Sequence, residues 1–357
     1  MVVEYPEIVD ARSGRFGPEV KVQMIGGQRL SEWEKAASPM ASMTGASNLV
    51  VSEDSPGVMT LRSQTRDPLG TMQMASASSE GGLIDASTRI PIGRSLAGED
   101  FSISVREDII HMLMQGVSRF GKSSLTYLMM SWMVRMRDVE VWGFDHTGFV
   151  LGPLEGLPGK RAATDSVDDI AALMDSLLML MRDRNARMKA SKVDKVELLP
   201  DRSEMPDVVV VFEEFSGLTQ LLIDHDLVSG AKPSEKKAPR FQAGIGRLAS
   251  EGGKFGIKLL FLDQRFLVTP SLTSTTRINC NVRMTFLTDE GGVDLVIKDA
   301  DAETVDRVTK FEQGRALVKM VGLPPFEMQA DYLGGYATYL EQVDIAKSLW
   351  GVGISNV

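Results

Sequence analysis

Gly116-Val117-Ser118-Arg119-Phe120-Gly121-Lys122-Ser123-Ser124 decides how this chain is read. The run fits G-x-x-x-x-G-K-[ST], a loop whose glycines let successive backbone N–H groups turn inward around phosphate oxygens. His111-Met112-Leu113-Met114-Gln115 before it is a short apolar strand signal. Leu125 to Met136 after it is apolar nearly all round, as a buried helix would be. Strand, glycine loop and helix together form an anion site, because the helix N-terminus adds partial positive charge. On this reading Gly116 through Ser124 hold the phosphates. Lys122 reaches the β- and γ-phosphates, and Ser123 holds Mg²⁺. The competing reading is a glycine turn carrying a surface lysine.

Composition restricts what surrounds the loop. With 357 residues, 43% hydrophobic and 24% charged, the chain has the balance of a globular protein with a substantial core. Its net charge of −9 excludes a uniformly basic nucleic-acid binder, so any DNA contact needs a local basic patch. A single cysteine, Cys280, excludes an internal disulfide and reads as core packing in a strand-like run. His111, His146 and His225 are isolated and suggest no metal cage. No apolar run reaches the length of a membrane span, and no signal-peptide pattern opens the sequence. The expectation is a cytoplasmic protein, membrane-associated only through partner proteins.

Outward from the loop, the chain alternates strand and helix signals in the manner of a parallel α/β sheet. The expected strands are Met112–Gln115, Val139–Phe144, Val208–Phe212, Lys258–Leu262 and Val282–Leu287. Val167 to Lys192 has helical spacing, and its basic end complements the helix C-terminus. Val196 to Pro206 and Ser229 to Arg240 read as loops. The second carries Lys232, Lys236, Lys237 and Arg240, either a solvated surface or a contact for a phosphate backbone. Arg315–Val321 and Phe326–Gln329 flank Gly322-Leu323-Pro324-Pro325 as a hairpin, and Tyr332 to Leu349 reads as a short helix. Towards the N-terminus, Val20–Met24 and Gly57–Arg62 alternate like strands, while Ala36–Asn48 and Met72–Gly82 read as linkers. The expected division is 1–95, a partly flexible β-rich accessory region; 96–330, the α/β core; and 331–357, a helical tail.

Val208-Val209-Val210-Val211-Phe212-Glu213-Glu214 is an apolar strand ending in two acids. Glu213 is the candidate to hold Mg²⁺ through water, and Glu214 the candidate general base for the attacking water. Both are expected at the C-terminal edge of the sheet, on a strand neighbouring the phosphate loop. The strand Lys258–Leu262 runs into Asp263-Gln264-Arg265. Gln264 there senses the γ-phosphate or orients water, or is a turn glutamine. Asp145, ending Val141-Trp142-Gly143-Phe144, positions water or caps the segment beyond it.

Taken in order, these motifs resemble the FtsK/SpoIIIE family of DNA-translocating ATPases. The resemblance runs through His111–Ser123, Gly143-Phe144-Asp145, Val211–Phe215, Phe255–Arg265, Ser274–Met284 and the closing hairpin Gly314-Arg315-Ala316-Leu317. It covers roughly residues 90–330. It implies a RecA-like P-loop NTPase core with a parallel sheet flanked by helices. It also implies ATP and Mg²⁺ as cofactors, and a hexameric ring around double-stranded DNA. Arg277 and Arg283 are then candidates for an arginine given to a neighbouring subunit's site, or are ordinary strand-edge ion pairs. The sequence departs from the family at Ser118-Arg119-Phe120, where a small glycine-rich centre is usual, at Glu213 in place of Asp, and at Leu262-Asp263 and Phe266. The function implied is ATP-driven translocation of double-stranded DNA for a plasmid, integrative element or phage. The alternatives are a protein-secretion motor of the same superfamily and a weakly hydrolysing, nucleotide-gated assembly module.

Overall fold

The computed structural model describes residues 4–75, 81–163, 166–266 and 273–352. They form two compact units. The smaller holds residues up to Met72 together with Gly93–Phe101; the larger holds Gln73–Ile92 and everything from Ser102 onward. The expected boundary at residue 95 falls inside the second segment of the smaller unit. Part of the expected linker Met72–Gly82, residues 76–80, lies outside the described residues.

The smaller unit begins with β1 (Glu7–Ser13) and β2 (Pro18–Gln23), then α1 (Leu30–Thr44), β3 (Asn48–Ser55) and β4 (Val58–Gln64). Its sheet is antiparallel in the order β1-β2-β4-β3. The two strands read from alternation become its central pair, with Val22 opposite Met59. Val22, Ala41, Leu49 and Leu61 close a small core. Ala36 to Asn48 is not a linker, because most of it is α1. Its Ala- and Met-rich composition is helix-compatible, Glu32 Oε2 accepts from the Arg29 N–H at 3.2 Å, and Gly45 ends the helix at φ 69°. Pro39 sits inside that helix, which is why the segment reads as broken.

Next come β5 (Arg89–Ser95), β6 (Asp100–Ser104), β7 (His111–Gln115), α2 (Lys122–Met133), β8 (Val139–Phe144), β9 (Lys160–Ala163), α3 (Val167–Ala190), β10 (Asp207–Phe212), α4 (Phe215–Val228) and α5 (Lys237–Glu251). The chain continues through β11 (Ile257–Asp263), α6 (Ser274–Asn279), β12 (Val282–Thr285), α7 (Glu290–Val296), α8 (Ala302–Val308), β13 (Arg315–Met320), β14 (Phe326–Ala330) and α9 (Tyr336–Leu349). The sheet order is β6-β5-β14-β13-β12-β7-β11-β10-β8-β9. From β12 to β9 every pairing is parallel, and the β13–β14 hairpin adds antiparallel strands beyond β12. This is a P-loop ATPase fold.

The parallel strands are buried on both faces, so they read as unbroken apolar runs. On one face Leu113, Phe144, Phe212 and Phe261 pack with α3, α4 and α5. Phe212 stacks on Phe144 and Phe261 with ring centroids 4.9 and 4.8 Å apart. Met112 and Met114 alternate to the other face, where Met114 meets Thr126 of α2. Tyr127 of α2 stacks on Tyr339 of α9 at 4.7 Å, which ties the last helix to the one that follows the phosphate loop. Among the described residues no helix is long and apolar enough to cross a membrane.

Three expectations are corrected. The basic loop ends at Lys236 rather than Arg240. Asp226 accepts from the Lys237 and Ala238 N–H groups at 2.9 and 2.8 Å and starts α5 there, with Pro239 tolerated in the first turn. Ser274–Ile278, which resembles the opening of a family strand, is instead part of a helical turn, Ser274–Asn279, because Thr273 Oγ1 accepts from the Thr276 N–H at 3.2 Å. The acid-bearing β10 is not beside β7; β11 lies between them.

Candidate active site

The phosphate loop connects β7 to α2 and is pinned on both flanks. The Val117 N–H donates to Leu287 O and the Gly314 N–H donates to Phe120 O, both at 3.0 Å. Between and beyond these anchors, no backbone N–H from Ser118 to Ser124 is engaged by any described residue. Seven successive donors are therefore left unpaired at a helix N-terminus, which is the chemistry an anion needs. The glycines are sterically required. A β-carbon at Gly116 would stand 2.5 Å from Phe286 Cβ; one at Gly121, where φ is 117°, would stand 3.0 Å from the Gly314 Cα.

Lys122, the first residue of α2, is only 6% exposed. Among the described residues its ammonium has one acidic neighbour within ion-pair distance, Glu214 Oε1 at 3.9 Å. Gln264, just past β11, donates from Nε2 to the same oxygen at 3.1 Å. Side chains following three different strands thus meet at one point on the C-terminal edge of the sheet. Glu214 is turned into that position by a left-handed backbone, φ 51° and ψ 56°, at the start of α4. Such a conformation is uncommon for a residue with a β-carbon.

Glu213 continues the β10 ladder, its N–H donating to Phe144 O at 2.9 Å. Burial raises its carboxyl to about 7; Lys122 opposes this, while Asp145, Glu214 and Asp263 reinforce it. Asp263, also raised by burial, accepts from the Ser216 N–H at 2.8 Å and so locks the N-terminus of α4 to β11. Ser123 is exposed beside Lys122.

The other candidates fall elsewhere. Asp145 is fully buried and accepts from Thr147 Oγ1 and the Gly148, Val150 and Leu151 N–H groups at 2.8–2.9 Å, so its carboxylate is the organiser of the turn after β8. Arg277 donates to Leu295 O at 3.0 Å and Arg283 to Cys280 O at 2.9 Å, so both are satisfied by carbonyls of their own chain rather than by strand-edge acids. Lys237 pairs with Asp168, and Arg240 with Asp175 at 2.8 Å, which anchors α5 to α3; Lys232 lies in the exposed turn before them and Lys236 precedes α5 directly. Arg184, within the basic end of α3, is buried and donates to Phe255 O and Pro206 O.

Two residues of the site carried no motif signal. Gln115, the last residue of β7, is fully buried and donates to Thr285 Oγ1 at 3.1 Å and Gly292 O at 2.6 Å, bracing the strand that launches the loop. Gln115 ends an apolar strand, and a polar group buried at that place is the signal that marks it. Phe286 fills the space that Gly116 and Gly121 leave open.

The model of the FtsK/SpoIIIE family matches residues 84–251, which hold the phosphate loop, Glu213 and Glu214. Over these residues, just under half of the chain, the sequence resembles the FtsK/SpoIIIE family. No curated protein sequence matches the chain. Among solved structures, the pCW3 conjugation coupling protein TcpA, in a monomer form with ATPγS, aligns at TM-score 0.58 and 15% identity, over 95% of this chain and 93% of that one. EssC (ATPases 2 and 3) from Geobacillus thermodenitrificans aligns at 0.62 and 15% identity, over 79% of this chain and 52% of that one. The cytoplasmic domain of Thermomonospora curvata EccC aligns at 0.55 and 18% identity, over 78% of this chain and 33% of that one. This chain therefore spans about half of that EssC chain and a third of that EccC chain. At these identities the likeness is one of fold.

Proposed function

We propose that this chain is an ATP-hydrolysing motor that translocates double-stranded DNA as a homo-oligomeric ring, most simply a hexamer, in the transfer of a plasmid, integrative element or phage genome. The observation that carries the ATPase reading is the meeting of Lys122, Glu214 and Gln264 under seven unengaged N–H donors. The DNA reading rests on the family match and on the fold shared with a conjugation coupling protein.

The residues present fit an ATP–Mg²⁺ complex. The N–H groups of Ser118–Ser124 and the Lys122 ammonium would bind the phosphates, and Ser123 with Glu213 would hold the metal. Mg²⁺ would supply charge neutralisation of the phosphates. The Glu214 carboxylate, oriented by Gln264, is placed to take the proton of an attacking water, and the bound phosphates would replace it as the partner of Lys122. An arginine offered to a neighbouring subunit, Arg277 or Arg283, would have to exchange a backbone carbonyl for phosphate. Lys232 and Lys236 remain the candidates for backbone contact with DNA, while Lys237 and Arg240 would first have to leave α3.

The test is steady-state ATP hydrolysis with and without linear double-stranded DNA. Turnover should rise with DNA and vanish in Lys122→Ala. Turnover indifferent to DNA, with retention of an exported polypeptide instead, would favour a secretion motor. Tight ATP binding without turnover would favour a nucleotide-gated assembly module.

A further inference from the structure

We propose that Arg119 contacts the phosphates of the nucleotide bound in its own loop, supplying from within the chain the second positive charge beside Lys122. This deepens the nucleotide-site reading above and rests on it. Arg119 stands at the crest of the loop with φ 72°, a left-handed backbone that glycine adopts freely and an arginine does not. The strain cannot relax by sliding the loop, because Val117 and Phe120 are hydrogen-bonded to different segments on either side. A strained side chain held at the crest of a binding loop points to use, and its packing offers no other reason for it. The guanidinium is exposed and makes no hydrogen bond or ion pair with any described residue.

The charge around the loop gives the arginine something to do. Asp145, Glu214 and Asp263 all act on the Glu213 carboxyl at this sheet edge, and the buried Lys122 is the cation that opposes them. A triphosphate entering there adds further negative charge. Other arginines of this unit are occupied: Arg277 and Arg283 by carbonyls, Arg265 by Asp289 at 3.2 Å. Arg119 is the arginine of the loop itself, it is unengaged, and a guanidinium fork matches phosphate oxygens bidentately.

Equilibrium titration of the full chain with fluorescent ATP and AMP analogues in Mg²⁺ tests this, using wild type, Arg119→Gly, Arg119→Lys and Lys122→Ala. Arg119→Gly should melt no lower than wild type, because glycine relieves the strain. It should nevertheless bind the triphosphate about tenfold more weakly, as expected for a lost charge-assisted contact, with little change for the monophosphate. Arg119→Lys should fall between the two. Unchanged triphosphate binding in Arg119→Gly while Lys122→Ala binds poorly would overturn the role of Arg119 and leave the nucleotide site standing. Normal binding in Lys122→Ala would bring down the site reading and this proposal with it. Normal binding in Arg119→Gly with lost turnover would mean that Arg119 acts on a neighbouring subunit, which also overturns the same-chain contact.

Discussion

Replacing Glu213 with glutamine should stabilise the nucleotide-free protein while abolishing hydrolysis, and the gain should depend on pH in a calculable way. Burial lifts the Glu213 carboxyl from 4.5 to about 7 in the folded chain. A raised acid is held protonated by the fold, so its contribution is fully favourable below pH 4.5. That contribution is lost as pH rises towards 7, where folding must bury an ionised carboxylate that the unfolded chain leaves in water. Linkage gives a penalty of about 0.8 kcal/mol at pH 5 and about 3 kcal/mol at pH 8. Glutamine has the shape of the protonated acid and does not titrate. Glu213→Gln should therefore gain little at pH 5 and up to about 3 kcal/mol at pH 8.

Urea unfolding without nucleotide or Mg²⁺, followed by tryptophan fluorescence, measures the difference. Trp132, Trp142 and Trp350 all lie in the larger unit with Glu213. Comparing variant with wild type at each pH cancels the titration of the groups that do not interact with Glu213. Equal differences at pH 5 and pH 8 would refute the reasoning, and so would a variant less stable than wild type at pH 8. Either result would mean that the carboxyl is solvated or paired well enough to ionise normally. The coupled outcome, gained stability with lost turnover, is what a site that keeps a buried acid for its chemistry should give.

The other predictions concern residues around the site. His111 is held near 4 by burial, with Lys258 adding to the effect, and its Nδ1 accepts from the Leu259 N–H at 3.0 Å. A lowered histidine stabilises above its free value of 6.5 and loses that contribution as pH falls, so wild type should drop by about 2 kcal/mol relative to His111→Gln between pH 8 and pH 5, read by the same urea curves. Asp145→Ala strips the partner from three backbone N–H groups and one hydroxyl in the turn after β8, and should cost about 3 kcal/mol or more, read as a lowered melting temperature. Gly121→Ala should lose ATP binding by calorimetry. Adding Phe286→Ala should not restore it, because the Gly314 Cα remains 3.0 Å from the new β-carbon.

What the sequence made legible follows from how local each signal is. Five of the six parallel strands were readable because burial on both faces leaves continuous apolar runs such as Val208–Phe212, whereas β9 (Lys160–Ala163) is largely uncovered and leaves none; the loop was readable because its glycines answer to backbone geometry. Strand order was not readable. Nothing in Val208–Phe212 or Ile257–Leu262 says which of them lies beside β7, since both are covered equally. Helices α4 and α5 were missed for related reasons. Phe215–Val228 follows two acids and starts from a left-handed residue, and the start of α5 is capped by Asp226 from the preceding helix, outside any N-cap pattern. In the site, Glu214 and Gln264 were legible as polar residues ending apolar strands. The different fates of Asp145 and Glu213, one consumed by four donors and the other left with a raised carboxyl, depend on a turn whose shape no spacing encodes.

The strand between β7 and β10 bears on the chemistry itself. Adjacent strands lie about 4.8 Å apart, so acids on β10 begin about 10 Å from the end of β7. A shorter acid at Glu213 or Glu214 would leave a wide gap to Lys122, whereas Glu214 closes it to 3.9 Å without nucleotide. β11 fills the middle of that gap with Gln264, which holds the Glu214 carboxylate from the side at 3.1 Å. The length of Glu214 is therefore what brings an acid to Lys122 across the intervening strand, and Gln264 is what holds it there.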